Sequence, residues 1–286
     1  MKNIALGKYV PFDSLIHRID PRIKIFATIA LLVSIFLPMP TYSMCYLIEG
    51  ILFLLVLIML IISHVRFSDV LISLRSLWIL VIFLLIVYIV VPKQVNVLGV
   101  AWNLNGWVVY WDAFAEAGKI ILRLVTMIMV TMVLTSTTKP LDLTYALEWY
   151  FTPFKVLHFP AAEVAMTISI ALRFIPTLLE DASRVLKAQS SRGVDFKSGH
   201  LWQKITGLTS LIIPLFVSSF LRSEELANAM ECRGYDPRLK RTRYRVFKFH
   251  VKDVVAFLFV SAILAGVIVL VAMHIDLFAL MGVNAL

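Results

Sequence analysis

Apolar residues run in five long blocks along this chain, and polar residues gather between them. The blocks lie at 25–37, 43–62, 74–91, 114–134 and 254–273. Apolar runs of about 20 residues predict membrane-spanning helices, and the first block is short by that measure. Asp20 followed by Pro21 predicts where it starts, as an N-cap and a first-turn proline. Two further blocks, 161–179 and 205–221, read differently. Around the first, polar residues fall at 169, 173, 177, 180, 184, 187 and 191, and apolar ones at 168, 172, 175, 179, 182 and 186. Steps of three and four predict a long amphipathic helix, kinked at Pro176. In the second, Pro214 interrupts the run, and Ser218, Arg222, Glu225 and Asn228 follow down one side. Both predict long cytoplasmic or interfacial helices whose broad apolar faces need cover. The predicted fold class is an all-α integral membrane protein, with about five transmembrane helices plus two long cytoplasmic amphipathic helices.

Composition agrees. The 286 residues are 60% hydrophobic, well above an ordinary soluble domain. The distribution of charge says more than the net +9. Of 27 Lys and Arg, 17 lie in 139–252 and five in 1–24, with none after 252. Basic residues beside spans follow the positive-inside rule, so no nucleic-acid partner is needed to explain them. The loop 38–42 has no basic residue and 92–113 has only Lys93, whereas 63–76 has Arg66 and Arg75. The N-terminus is therefore expected in the cytoplasm and the C-terminus outside. Two crossings by 161–179 and 205–221 would put Arg184, Lys187, Arg192, Lys197 and Lys204 outside, so neither is expected to span. The expected divisions are a cytoplasmic segment 1–24, a transmembrane bundle 25–135, a cytoplasmic region 136–250, and a last span with an external tail, 251–286. Trp102, Trp107, Tyr110 and Trp111 fit an aromatic belt at the outer interface. Leu104-Asn105-Gly106 reads either as a hairpin tip or as a disordered interfacial loop. The apolar stretch after residue 24 has no small-residue cleavage site, so no cleavable signal peptide is expected.

One phrase occurs twice. Ala188-Gln189-Ser190-Ser191-Arg192-Gly193-Val194-Asp195 recurs as Ala229-Met230-Glu231-Cys232-Arg233-Gly234-Tyr235-Asp236, offset by 41 residues. In each copy an arginine ends a long helical pattern and a glycine follows, where a helix stops. The helix dipole favours an arginine there, and its planar fork can grip a carboxylate or carbonyl on another protein. A single such arginine would read as a helix cap. Two copies suggest one chain gripping two similar partners.

The motifs resemble the transmembrane T components of energy-coupling factor transporters, ABC-type systems for vitamin uptake. The likeness is dense over 137–196, through Thr137-Thr138-Lys139-Pro140-Leu141-Asp142-Leu143, Phe159-Pro160, Ile168-Ser169-Ile170-Ala171-Leu172-Arg173-Phe174-Ile175-Pro176, and the first Arg-Gly ending. It resumes at Ile213-Pro214 and from Glu225 to Pro237, and touches the start at Gly7, Tyr9, Pro11, Ser14, His17 and Asp20-Pro21-Arg22. The resemblance implies a non-catalytic subunit for uptake of a vitamin or another micronutrient. It implies two cytosolic ABC-type ATPases that carry ATP and Mg²⁺, so no cofactor is expected on this chain. It implies coupling helices whose arginine ends dock in the ATPases, at Ser191, Arg192, Gly193, Cys232, Arg233 and Gly234. Family members commonly have alanine before the arginine, where this chain has Ser191 and Cys232. It also implies one or more membrane-embedded, substrate-binding S components. Ile168, Leu172, Leu179, Leu186, Phe216, Phe220 and Met230 would face an S component, membrane lipid, or the other helix.

No catalytic constellation is visible. There is no Gly-x-x-x-x-Gly-Lys-Ser/Thr loop for phosphates, and no His-Glu-x-x-His. Cys45 and Cys232 make no disulfide framework, the six histidines are scattered, and no metal site is expected. Glu49, Glu116, Lys119 and Arg123 are charges within spans. Glu116 and Lys119 are expected to pair or snorkel, and Arg123 to bond backbone carbonyls. The rival classes are a T component dedicated to cobalt or nickel, an integral-membrane enzyme, and a self-sufficient secondary transporter. The last expects inverted repeats and an ionisable midplane site, neither of which is visible.

Overall fold

The computed structural model describes residues 12–38, 42–65, 67–90, 100–104, 107–153, 161–194, 201–236 and 249–273. Eight helices are described: α1 (Pro21–Phe36), α2 (Tyr42–Ile62), α3 (Phe67–Val90), α4 (Trp111–Thr137), α5 (Pro140–Phe151), α6 (Ala161–Ser191), α7 (Leu201–Cys232) and α8 (Val251–Ala272). Between α3 and α4, β1 (Val100–Leu104) pairs antiparallel with β2 (Trp107–Tyr110), Leu104 opposite Trp107. This short ribbon takes the hairpin alternative for that segment, while its expected tip at 105–106 lies outside the described residues. Also outside lie Gly7, Tyr9, Pro11, Phe159, Pro160, Asp195 and Pro237 of the expected motifs.

Contacts divide the chain into two compact units. One comprises 7–146 and 247–286, and the other 1–6 and 147–246. In the first, α4 packs against α1, α2 and α3, and α1 packs against α8. The pairing of α2 with α4 has a fixed register. Tyr42 donates to Glu116 at 2.9 Å, and Arg123 donates to Glu49 at 2.7 and 3.0 Å; both pairs are 74 residues apart. A constant offset means parallel helices in a seven-residue register, as expected for side chains that mesh between neighbouring helices. The same step reaches Val56 and Val130, both buried in the apolar core. One end of this seam is thus polar and the other apolar. Arg123 bonds a carboxylate, not the backbone carbonyls expected, because the register puts Glu49 beside it. Lys119 and Glu116 pair at 2.7 Å, as expected.

A buried polar knot joins the starts of α1 and α8, the end of α4 and the middle of α5. Asp20 caps α1 through the Arg22 N–H, and Pro21 opens the helix, as its sequence predicts. One carboxylate oxygen of Asp253 accepts from the His250 N–H in a capping box on α8, at 2.8 Å. The other accepts from the Asp20 N–H at 2.9 Å, so one side chain serves two helix starts. Lys24 donates to the Thr137 carbonyl at the end of α4, at 3.0 Å. Arg22 donates to the Tyr145 hydroxyl and lies over the Tyr145 and Phe249 rings. Just before α1, two hydrogen bonds from Arg18, with its charge, hold the exposed Asp13 carboxyl below its ordinary pKa.

By length and hydropathy, α2, α4, α8 and Ile205–Cys232 of α7 could cross a membrane, and α3, bent by 46° between Arg75 and Leu77, makes a fifth. The number agrees with expectation, but the membership differs. At 16 residues α1 extends about 24 Å, short of a bilayer core of about 30 Å. The Leu37 backbone turns extended immediately before Pro38, and this ends the helix early. Ile205–Cys232 contains the 205–221 run that the distribution of charge excluded as a span, and by length and hydropathy it nonetheless qualifies.

Candidate partner-docking site

The second unit holds α6 and α7, about 46 and 48 Å long at 31 and 32 residues. Both run through their prolines, Pro176 and Pro214. Both also end in the same way. Gly193 and Gly234 adopt φ of +87° and +72°. The Gly193 N–H donates to the Ser190 carbonyl at 3.0 Å, and Val194 donates back to Gln189 at 3.1 Å. In the second copy Gly234 donates to Glu231 at 2.9 Å, and Tyr235 to Met230 at 3.0 Å. These paired bonds form a Schellman ending, which satisfies carbonyls that a helix end would otherwise leave open. The local sequence requires it: glycine alone enters the left-handed region without strain, so the chain stops one residue after the arginine.

Arg192 and Arg233 are thus the final residues before an abrupt turn, and both are exposed. Ser191, Gly193, Cys232 and Gly234 are exposed around them. Each structure is a cation on a helix C-terminus, with backbone and neighbouring small side chains that leave its fork accessible. Among the described residues, nothing beyond the adjoining residues of the chain lies within 4 Å of where a Cβ would sit on either glycine. Gly193→Ala and Gly234→Ala therefore meet backbone strain alone, about 1–2 kcal/mol for an L-residue held left-handed. We expect each to fray its helix end, seen as faster amide exchange at Val194 or Tyr235. Asparagine at either position should fray it less than alanine. Unchanged exchange would show that the glycine is not what stops the helix.

The faces of α6 and α7 differ in how well they are covered. On α6 the better-covered positions include Phe174, Leu178, Asp181, Val185 and Gln189, and on α7 Leu215, Ser219, Arg222, Leu226 and Met230. Leu172 and Met230 are half-buried, but Ile168, Leu179 and Leu186 are exposed, and Phe216 and Phe220 are 69% and 63% exposed. Helix-on-helix packing therefore accounts for two of the seven expected face residues. The reason is a contact the hydrophobic pattern did not reveal. Arg222 Nη2 donates to Asp181 Oδ2 at 2.8 Å, which turns both polar side chains inward between the helices. Among the described residues, no group of three or more His, Cys, Asp or Glu side chains could hold a metal ion.

Long apolar helices, together with two long helices that end in the same exposed arginine turn, define a multi-span α-helical membrane protein. The family described as "CbiQ: Cobalt transport protein" matches residues 12–244. An "Energy-coupling factor transporter transmembrane protein EcfT" of Brevibacillus brevis is 40% identical over 254 residues, covering 88% of this chain and 92% of its own. Proteins of the same description from Heliobacterium modesticaldum and Bacillus subtilis are 37% and 35% identical, each covering 96% of this chain and 98% and 97% of their own. The chain belongs to the CbiQ/EcfT family of transporter membrane proteins, and the resemblance drawn from its motifs is borne out.

Proposed function

We propose that this chain is the energy-coupling membrane subunit of an ATP-driven uptake transporter. Residues 136–250 form its cytoplasmic coupling region, with the N-terminus in the cytoplasm and the C-terminus outside. Arg192 and Arg233 each dock in a groove on one of two ABC-type ATPase subunits. ATP and Mg²⁺ bind to those ATPases, and this chain turns their motion into movement of α6 and α7. The uncovered side chains Ile168, Leu179, Leu186, Phe216 and Phe220 meet a membrane-embedded S component that carries a vitamin or another micronutrient.

The duplicated helix end carries this reading. Two exposed arginines, 41 residues apart, finish two long helices with the same hydrogen-bonded turn. A cap on one helix requires neither the second copy nor the shared neighbours. The relatives, each named as an energy-coupling factor transporter transmembrane protein, support it further. Charge supports the location. If α7 alone crossed the bilayer, either the basic residues at 184–204 or those at 238–248 would lie outside.

Topology gives a direct test. Arg192→Cys and Arg233→Cys, each in a background with Cys45 and Cys232 replaced by serine, are expected to react with membrane-impermeant thiol reagents from the cytoplasmic side only. Reaction of either from outside would put the two arginines on opposite sides or return α6 and α7 to the membrane, and the reading would fail. Purification of the intact complex should bring down two ATPases and a substrate-binding membrane protein. The substrate of that protein separates a vitamin role from one dedicated to cobalt.

A further inference from the structure

The ion pair between α6 and α7 has a second property. Asp181 and Arg222 are 41 residues apart, the same offset that relates the two arginine endings. Equivalent positions of the two copies therefore touch each other, as they do where a local two-fold axis passes between related elements. Such a position cannot carry the same charge twice, because each residue faces its own counterpart. Here the copies have diverged to opposite charges. Each partner stands 11 residues before its arginine, roughly 16 Å along the helix. Both arginines thus lie at the same distance from the point where the helices are joined.

The contact suits a moving joint. The side chains are 29% and 19% exposed, so the attraction is less screened than on an open surface. Apolar residues flank it on both helices: Leu178 and Val185 on α6, Leu226 on α7. The contact is a single Nη2–Oδ2 bond, and Nη1, though buried, has no hydrogen-bond partner among the described residues. A two-pronged arginine–carboxylate fork would fix the angle between the helices, whereas one bond holds their height and lets them turn.

We propose that Asp181 and Arg222 form the pivot of the coupling helices. They are positioning residues that keep Arg192 and Arg233 in step, so that displacement of one handle moves the other. The proposal rests on the energy-coupling reading, and its test must separate the two. In the complete reconstituted complex, Asp181→Arg and Arg222→Asp are compared with the exchanged pair carrying both changes. Asp181→Glu, which keeps the charge, serves as the conservative variant. Substrate taken up per ATP hydrolysed is measured on assembled complex, together with the distance between spin labels on Lys187→Cys and Asn228→Cys. These are equivalent exposed positions, used in the background lacking Cys45 and Cys232.

Each single reversal is expected to lower uptake per ATP about tenfold, the scale of a typical coupling energy between sites. ATP hydrolysis itself should continue, and the label distance should broaden. The exchanged pair is expected to recover both coupling and a narrow distance, and Asp181→Glu to stay close to wild type. Wild-type coupling in the single reversals, or no recovery in the exchanged pair, overturns the pivot. If either result comes with loss of uptake on reversing Arg192 and Arg233, the energy-coupling reading stands and only the pivot falls. If reversing those arginines leaves uptake intact, the energy-coupling reading itself falls.

Discussion

Replacing Arg192 and Arg233 together by glutamate is expected to abolish substrate uptake while leaving the chain in the membrane. Both side chains are exposed at helix ends, so among the described residues their loss uncovers no core. The glycines and the backbone bonds that end α6 and α7 remain. What changes is the sign of the charge offered to a partner. Truncating one side of a buried, hydrogen-bonded charge contact at an interface typically costs about 2–5 kcal/mol, and reversal adds repulsion. In the proposed function the two docking points also support each other, because the first contact raises the effective concentration at the second. Arg192→Ala or Arg233→Ala alone is therefore expected to weaken uptake, often without dissociating the complex. ATP binding by the proposed partner ATPases, measured in isolation, should not change, since the sequence of this chain has no Gly-x-x-x-x-Gly-Lys-Ser/Thr loop. The measurement is uptake in reconstituted vesicles beside co-purification of the ATPases, for both singles and the double. Wild-type uptake by a correctly assembled double variant would reduce the arginines to helix caps.

The next largest effect is expected in the α2–α4 seam. Glu49 is 3% exposed and Arg123 21% exposed, and they are bonded through a single carboxylate oxygen. Removing one partner of a buried pair leaves a desolvated charge with no counter-ion, at a cost of about 3–5 kcal/mol. The two deletions should differ. Arg123→Ala strands the more deeply buried Glu49, whose other oxygen already has no hydrogen-bond partner among the described residues. Glu49→Ala strands an arginine with a long stem, which can swing its head toward water. Arg123→Ala is thus expected to be the more damaging. Replacing both by methionine removes both charges and should be milder than either deletion. Thermal unfolding of the purified protein in detergent checks this order. Independent, additive effects of the two deletions would show that the pair is not coupled.

The sequence alone determined the features that depend on neighbours a few residues apart. Asp20-Pro21 starts α1, and Gly193 and Gly234 end α6 and α7, through bonds that close within about five residues. The apolar blocks sufficed to identify the class of protein, because a bilayer demands long uninterrupted runs. The repeated ending was also legible, since a duplicated phrase needs no fold to be seen. The 41-residue offset could even have pointed to Asp181 and Arg222 as equivalent positions. That they touch could not be read, because amphipathic periodicity shows that a helix has two faces but not which neighbour turns it. Only tertiary structure directed Asp181 and Arg222 inward and left Phe216 and Phe220 uncovered. It alone gave Arg123 to Glu49 across 74 residues, and set one carboxylate of Asp253 on two helix starts across 233. Such pairings depend on the register between helices, which many apolar contacts fix together and no local stretch of sequence encodes.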